Sequence, residues 1–236
     1  MTNSSGITIF KRSPSLKDKA NFGAVIRQIE RHIKNGGKAA FFDCDRVLVD
    51  PDRANATSIM TILKEYGLKP RPCGAKEFVD ICSGTGPRKV LLNLAPDLMG
   101  RPEMVEEMVL RLAEIAALNT YLIEKTLIVD YLPEIRVRNV KTGIMTNRYR
   151  IAIHPIIKRF EIGVDVLLHQ SRRIPAKPEL DMFAWGVRLA DVPKELAMLW
   201  DDNLDCVKGA RQFGMPSRLV KWNADAASAS FEYLQG

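Results

Sequence analysis

Residues 39–50 have the sequence AAFFDCDRVLVD, an apolar run that stops abruptly at two carboxylates, Asp43 and Asp45. A short apolar run without polar alternation is typical of a strand buried on both faces of a parallel sheet. Ligands of such sheets bind beyond the carboxyl ends of the strands. The sequence therefore predicts a buried strand over 39–42, with two carboxylates at the edge of the sheet where a site would lie.

The C-terminal half of the chain alternates between strand and helix patterns. Apolar segments at 140–145, 164–168, 196–200 and 219–220 predict strands, and helical periodicity at 151–160, 181–189 and up to Phe213 predicts the helices between them. Polar residues follow these strands, notably Thr146 and Asn147 after segment 140–145 and Asp201 and Asp202 after segment 196–200. This pattern predicts an α/β fold with a doubly wound, mostly parallel sheet.

A long helical segment separates the first predicted strand from the others. Apolar residues recur at helical spacing from Asp52 to about Pro133, with the longest stripe running from Met104 to Leu118. Connections between elements have a median length of about 4–6 residues, so a segment of this length forms a domain of its own. We expect a basic N-terminal arm and amphipathic helix over 1–37, an α/β core over 38–51 and 135–236, and a helical cap over 52–134.

Composition excludes several classes of protein. The chain has 236 residues, of which 46% are hydrophobic and 27% charged, values typical of soluble globular proteins. No apolar run reaches the roughly 18 residues of a transmembrane helix, and the N-terminus lacks the apolar stretch of a secretory signal. Four cysteines without CxxC spacing indicate neither a disulfide framework nor a zinc site, which favours a cytoplasmic location.

The net charge of +7 is concentrated at the N-terminus. Residues 1–38 hold eight lysines and arginines against Asp18 and Glu30, whereas the rest of the chain is nearly neutral. Such a segment could contact an anionic partner such as a nucleic acid, although charge runs are usually only solvated. The apolar face of the predicted helix, made by Phe22, Ile26, Ile29 and Ile33, would dock on the core or on a second subunit.

Four segments together resemble the motifs of the haloacid dehalogenase superfamily, specifically its phosphatases and phosphomutases with a helical cap. The segments are 41–50, 144–147, 177–183, and 198–203 with 209–215, and the resemblance covers about residues 38–220. It implies a Rossmann-like core with an inserted cap and catalysis through an aspartyl-phosphate. It also implies a small phosphorylated substrate and Mg²⁺ as partners, and no membrane association. The oligomeric state stays open.

The resemblance also implies roles for individual residues. Asp43 would be the nucleophile, and Asp45 would protonate the leaving group and then activate water. Thr146, Asn147 and Lys177 would bind the phosphoryl group, and Lys177 would neutralise charge during transfer. Mg²⁺ would be held by Asp43, Asp45 through its carbonyl oxygen, and the fourth motif.

Two departures from the family pattern leave alternatives open. The glycine that usually follows the second aspartate is Arg46, so we expect a different turn there or a partner for the guanidinium, such as a substrate phosphate. In the fourth motif, Asp201 and Asp202 would form the metal-binding pair, and an alternative register pairs Asp201 with Asp205.

A segment of the predicted cap is a candidate for substrate binding. The glycine-bearing segment 83–88 precedes a predicted helix, and Ser83, Thr85 and nearby backbone amides could face an anionic substrate. Arg88 would bind a distal phosphate or carboxylate, unless it is simply a solvated side chain. The main expectation is a Mg²⁺-dependent phosphatase acting on a small phosphorylated metabolite. A phosphomutase of the β-phosphoglucomutase type is one alternative, and a non-catalytic binding protein that uses its basic arm is another.

Overall fold

The computed structural model describes residues 20–74, 77–78, 81 and 86–222. In chain order the described elements are helix α1 (Phe22–Lys34), strands β1 (Ala39–Phe42) and β2 (Val49–Asp50), helices α2 (Asp52–Glu65), α3 (Pro87–Leu94) and α4 (Pro102–Leu118), strand β3 (Glu124–Lys125), helix α5 (Leu127–Val137), strand β4 (Lys141–Tyr149), helix α6 (Arg150–Arg159), strand β5 (Val166–Gln170), helix α7 (Leu180–Ala190), strand β6 (Ala197–Asp201), helix α8 (Leu204–Phe213) and strand β7 (Ser217–Leu219). Short 3₁₀ helices lie at Pro96–Leu98, Asn119–Leu122 and Lys194–Leu196.

Five parallel strands form the central sheet in the order β5-β4-β1-β6-β7. All four residues of β1 are buried, as expected for a central strand covered on both faces. In register, Phe42 of β1 faces Ile144 of β4 and Trp200 of β6. The predicted α/β fold with a parallel, doubly wound sheet is confirmed, and β1 lies at its centre.

The two faces of the sheet have separate cores. One face packs against α1, α5 and α6, with Phe42, Ile144 and Trp200 pointing into it. The other packs against α7 and α8 around Phe41 and Leu199. Because neighbouring residues of a strand point to opposite faces, the two adjacent phenylalanines of β1 anchor the two cores.

Helices α2, α3 and α4 form a third unit with its own hydrophobic cluster. Its buried residues all fall between Ala56 and Ile115. The chain leaves the sheet through β2 and returns through β3, and these two strands pair antiparallel. The fold class with an inserted helical cap is therefore confirmed.

Helix α5 belongs to the core of the sheet and not to the cap. Residue 134, the predicted last residue of the cap, lies inside α5, and Ile128, Leu132 and Ile135 of this helix pack in the core of the sheet. The helical pattern alone cannot tell which core a helix covers, since both cores bury the same kind of apolar stripe. We infer a boundary near β3.

The predicted N-terminal helix is confirmed as α1. The Asn21 side chain accepts a hydrogen bond from the Ala24 backbone N–H and caps the start of the helix, which ends at Lys34 with Asn35 as its C-cap. Phe22, Val25 and Ile29 are buried against the core of the sheet. Residues 1–19, which carry the predicted arm, lie outside the described residues. Among the described helices, none combines the length and apolarity that a membrane-crossing segment requires.

Strand β4 is longer than predicted. It continues past Met145 to Tyr149, and its pairing with β5 shifts register between Thr146 and Tyr149. Thr146 and Asn147 therefore lie within the strand, at an irregularity of its pairing, rather than in the loop after it.

His32 joins α1 to the centre of the sheet. Its Nε2 lies 3.0 Å from the Ala39 carbonyl oxygen, and its ring meets the Trp200 ring edge-on. Gly37 makes this contact feasible, because a methyl group there would lie 2.3 Å from Nε2. Burial lowers the pKa of His32 below its ordinary value, with the backbone hydrogen bond opposing the shift.

We therefore expect stability to depend on His32 at mildly acidic pH. Because the pKa of His32 is lower in the folded than in the unfolded chain, its contribution is complete above about pH 6.5 and decreases as the pH falls. The difference in free energy of unfolding between wild type and His32→Gln should shrink from about pH 7.5 to about pH 5 in urea titrations. His154→Gln, a substitution at an exposed histidine, is the control. A pH-independent difference would contradict this expectation.

Candidate active site

Three adjacent strands bring polar side chains to one edge of the sheet. Asp43 directly follows β1, Thr146 lies near the end of β4, and Asp201 ends β6. All three side chains are buried. Because β4 and β6 are the two neighbours of β1, the parallel arrangement places the three residues side by side.

Lys177 occupies the centre of this edge. Its Nζ donates to Asp43 Oδ1 and to Asp201 Oδ2, each at 2.6 Å, and its side chain is only 1% exposed. Burial disfavours the ammonium, but the charges of Asp201 and Asp43 outweigh that cost and raise the pKa of Lys177. The lysine is therefore a permanent cation that joins the ends of two strands.

Two neighbours fix the loop that carries Lys177. The Asn147 side chain accepts from the Lys177 backbone N–H at 2.7 Å and donates to its carbonyl oxygen at 3.1 Å. Helix α8 approaches the same loop at Gly209, where a methyl group would lie 2.7 Å from the Pro178 carbonyl oxygen. Asn147 thus holds Lys177 in place, in addition to lining the site.

Three aspartates converge next to the lysine. One carboxylate oxygen from each of Asp43, Asp201 and Asp202 lies within 4.8 Å of the others. Burial raises the pKa of Asp43 to about 7, partly offset by Lys177 and reinforced by Asp201. Burial and the charges of Asp43 and Asp201 also raise the pKa of Asp202.

Asp205, the alternative acid of the fourth motif, lies elsewhere. Its side chain is 77% exposed in the first turn of α8 and faces Lys208. The structure brings Asp202 to the acidic cluster and leaves Asp205 outside it, which favours the ungapped register of the motif.

The donor set fits a Mg²⁺ ion. Mg²⁺ prefers hard oxygen ligands and is usually held by one or two carboxylates, with substrate and water completing the shell. The described lining of the cavity holds five aspartates and three cations, namely Asp43, Asp45, Asp52, Asp201 and Asp202 against Arg46, Arg148 and Lys177. With all eight groups charged the cavity carries two excess negative charges, which one divalent cation would balance.

Asp45 is held by an arginine that the sequence reasoning missed. Arg148 Nε donates to Asp45 Oδ1 at 2.7 Å, and its second amino group donates to Asn55 Oδ1 on α2 at 3.0 Å. The Arg148 backbone N–H donates to Thr146 Oγ1 at 3.2 Å. A basic residue two positions after Thr146 was the only sequence signal, and it does not reveal a partner 103 residues away.

Arg46 keeps the backbone conformation that a glycine would have. Its φ is +59°, in the left-handed region, so the expected change of turn does not occur. Its Nε donates to Asp52 Oδ1 at 2.9 Å, and its Nη1 lies 3.9 Å from Asp202. Trp222 covers the guanidinium and donates to the other Asp52 oxygen. The partner of Arg46 is thus a protein carboxylate at the start of the cap.

Arg88 is not brought to the cavity. Its side chain is 56% exposed and pairs with Glu106 of α4. Gly86 and Pro87 do line the cavity, and α3 begins at Pro87 as predicted. Ser83 and Thr85, which we expected near the substrate, lie outside the described residues. The predicted role of Arg88 in substrate binding stays untested, and its ion pair with Glu106 weakens the case for it.

The polar residues at the sheet edge form the floor of a cavity of about 160 Å³ between the sheet and the inserted helices. Asp43, Asp45, Thr146, Asn147, Lys177, Asp201 and Asp202 line it from below. The arrangement brings together a buried carboxylate, a second carboxylate two residues away, a buried cation and a cluster of three aspartates that could hold a metal ion. Those are the groups that phosphoryl transfer requires for positioning and charge neutralisation.

Comparison with solved structures finds the same fold in several hydrolases. A haloacid dehalogenase-like family protein from Streptococcus pneumoniae has a TM-score of 0.63 and 21% identity over 78% of this chain and 84% of its own. A predicted phosphoglycolate phosphatase from Haemophilus somnus has a TM-score of 0.65 and 15% identity, covering 77% and 84%. CbbY from Rhodobacter sphaeroides, solved with phosphate, has a TM-score of 0.63 and 17% identity, covering 77% and 84%.

At these identities the similarity establishes the fold alone. Comparison with curated protein sequences finds no significant match. The family model described as haloacid dehalogenase-like hydrolase matches residues 40–220, which is most of the chain and includes all four motifs. The chain therefore belongs to the haloacid dehalogenase-like hydrolase family.

Proposed function

We propose that the protein is a Mg²⁺-dependent phosphatase that hydrolyses a small phosphorylated metabolite through an aspartyl-phosphate on Asp43. The observation that carries this proposal is the position of Lys177 between Asp43 and Asp201, with Asp202 beside them. One protein of the same fold, CbbY from Rhodobacter sphaeroides, was solved with phosphate and, as a mutant, with xylulose 1,5-bisphosphate, which supports a phosphorylated substrate.

In the first step an oxygen of the Asp43 carboxylate attacks phosphorus, and the bond from phosphorus to the leaving oxygen breaks. Lys177 stays charged throughout, so its ammonium stabilises both the carboxylate and the negative charge on the transferring group. Thr146, at the adjacent strand end, would orient a phosphoryl oxygen. When bound by Asp43, Asp201 and Asp202, Mg²⁺ would supply Lewis-acid neutralisation of the phosphoryl oxygens.

Asp45 serves the proton transfers. As an acid it donates its proton to the leaving alcohol, and as a carboxylate it then removes a proton from the water that hydrolyses the aspartyl-phosphate. Arg148 holds its carboxylate at 2.7 Å, while the same guanidinium contacts Asn55 of the cap. Arg148 is therefore a positioning residue that links the acid–base group to the cap.

We also propose a cytoplasmic location. The described cysteines, Cys44, Cys73 and Cys206, are all unpaired, and two of them are buried. Free buried thiols suit a reducing compartment.

The first test is phosphate release from a panel of phosphomonoesters. Wild type should hydrolyse at least one of them with Mg²⁺ and lose this activity in EDTA, and Asp43→Asn should be inactive because the amide is a poor nucleophile. Asp45→Asn should lower turnover by about 10²–10⁴-fold, because it removes the proton donor of the first step and the base of the second. Asp205→Asn, at the exposed acid, is the matched control. Equal activity of wild type and Asp43→Asn would refute the proposal, and strict dependence on an added bisphosphate would indicate a mutase.

A second test addresses Arg148. Arg148→Met should lower kcat by roughly 10–100-fold with little change in KM, because Asp45 loses its positioning partner while the phosphate-binding groups remain. Arg148→Lys should restore part of kcat, and Arg150→Met, at an exposed arginine nearby, should behave as wild type. The kcat profile against pH should also change in Arg148→Met. A pure KM effect would assign Arg148 to substrate binding instead.

A further inference from the structure

Arg46 lines the cavity with a guanidinium whose hydrogen-bonding capacity is only partly used. Its Nε donates to Asp52, whereas its Nη2 is buried and finds no acceptor within the described part of the chain. By contrast, Lys177 and Arg148 of the same lining each donate two side-chain hydrogen bonds. A buried donor without a partner is costly, and a ligand that brings an acceptor would remove this cost.

The guanidinium lies beside the carboxylate cluster. Its Nη1 is 3.9 Å from Asp202 Oδ2, which is too far for a hydrogen bond but within the range of an ion pair. Asp202 in turn belongs to the cluster with Asp43, the proposed nucleophile. Asp202 is therefore a common neighbour of the guanidinium and of the carboxylate that would receive the phosphoryl group.

The backbone and two neighbours hold Arg46 in this place. Its φ of +59° carries a conformational cost for an arginine, and residues with such a cost cluster at functional sites. Asp52 accepts from Arg46 Nε and from the Trp222 indole N–H, and the Trp222 ring centroid is 5.6 Å from the Arg46 Cζ. Fixed through Nε, the guanidinium presents its two amino groups in a defined orientation.

The chemistry of these amino groups points to an anionic oxygen ligand. The planar fork of a guanidinium matches the oxygens of a phosphate or a carboxylate. A phosphoryl group carries several oxygens that need donors, and Lys177 already uses two of its three N–H groups on aspartates. A second cation with donors to spare would complete the binding of that group.

We propose that Arg46 is a catalytic residue that binds the transferred phosphoryl group, with Nη1 and Nη2 donating to its oxygens while the bond to the leaving oxygen breaks. The inference rests on the proposed phosphatase function and adds to it a cation at the position where the family pattern has a glycine. Because every substrate of such an enzyme brings the transferred group, the effect of Arg46 should not depend on the leaving alcohol.

The first test measures the affinity for inorganic phosphate, which has no leaving alcohol, by calorimetry in the presence of Mg²⁺. Arg46→Gly should bind phosphate roughly 10-fold or more weakly than wild type, because charge-assisted hydrogen bonds are lost. Glycine adopts the left-handed conformation without strain, so the backbone can keep its course. Asn139→Gly makes the same kind of change at an exposed left-handed residue after α5 and should bind phosphate as wild type does.

Variants of Asp52 separate phosphate binding from a purely structural role of Arg46. If Arg46 only fixed Asp52 at the start of the cap, Asp52→Asn would weaken phosphate binding as much as Arg46→Gly does. If Arg46 binds phosphate, Asp52→Asn should tighten binding, because a negative charge next to the guanidinium is removed. The double variant Arg46→Gly with Asp52→Asn leaves no uncompensated charge and should bind as weakly as Arg46→Gly. Circular dichroism melts would verify that each variant is folded.

Turnover separates this inference from the phosphatase proposal. Arg46→Gly should lower kcat/KM by roughly 10²–10³-fold, and to the same extent for ethyl phosphate and for phosphoglycolate, which differ by a carboxylate. A phosphate affinity that depends on Arg46, with no hydrolysis by wild type, would refute the phosphatase and support the binding role. The inference would be overturned by equal phosphate affinity of wild type and Arg46→Gly, by an absence of phosphate binding to wild type, or by a loss confined to phosphoglycolate.

Discussion

The buried ammonium of Lys177 is the interaction on which the active-site edge depends. It lies between Asp43 at the end of β1 and Asp201 at the end of β6, and its side chain is almost completely covered. Removing one partner of a buried ion pair leaves an uncompensated charge, which is strongly destabilising. The position of the lysine therefore constrains two strand ends and the loop after β5 at once, and Asn147 and Gly209 are the residues that allow that loop to reach them.

Lys177 balances only part of the negative charge at this site. It neutralises one of three closely spaced carboxylates, and burial still raises the pKa of Asp43 to about 7. A nucleophilic carboxylate must be ionised to attack phosphorus, so a second cation near Asp43 and Asp202 would favour the reactive form. Arg46, 3.9 Å from Asp202, is too tightly paired with Asp52 to fill this role alone. The charge of the floor thus supports the proposed dependence on a divalent ion.

The floor could be predicted from the sequence because strand ends are local features. An apolar run followed by Asp43, or by Asp201, marks the end of a buried strand independently of the rest of the sequence. Pairings across the chain carry no such signal. The bonds from Arg148 to Asp45 and from Trp222 to Asp52 join residues more than 100 positions apart, and neither could be derived without coordinates. The packing of α5 on the sheet was missed for the same reason.

The upper wall of the cavity, its roof, is formed by α2, α3 and α4 and could not be predicted from the sequence in the same way. Helical periodicity predicts that α4 has a buried stripe, but Val109 and Leu112 belong both to the cap's own cluster and to the cavity wall. The same stripe of α4 thus serves both the core of the cap and the described wall of the cavity. Buried charge pairs therefore shape the floor of the cavity, whereas its described roof is an extension of the hydrophobic core of the cap.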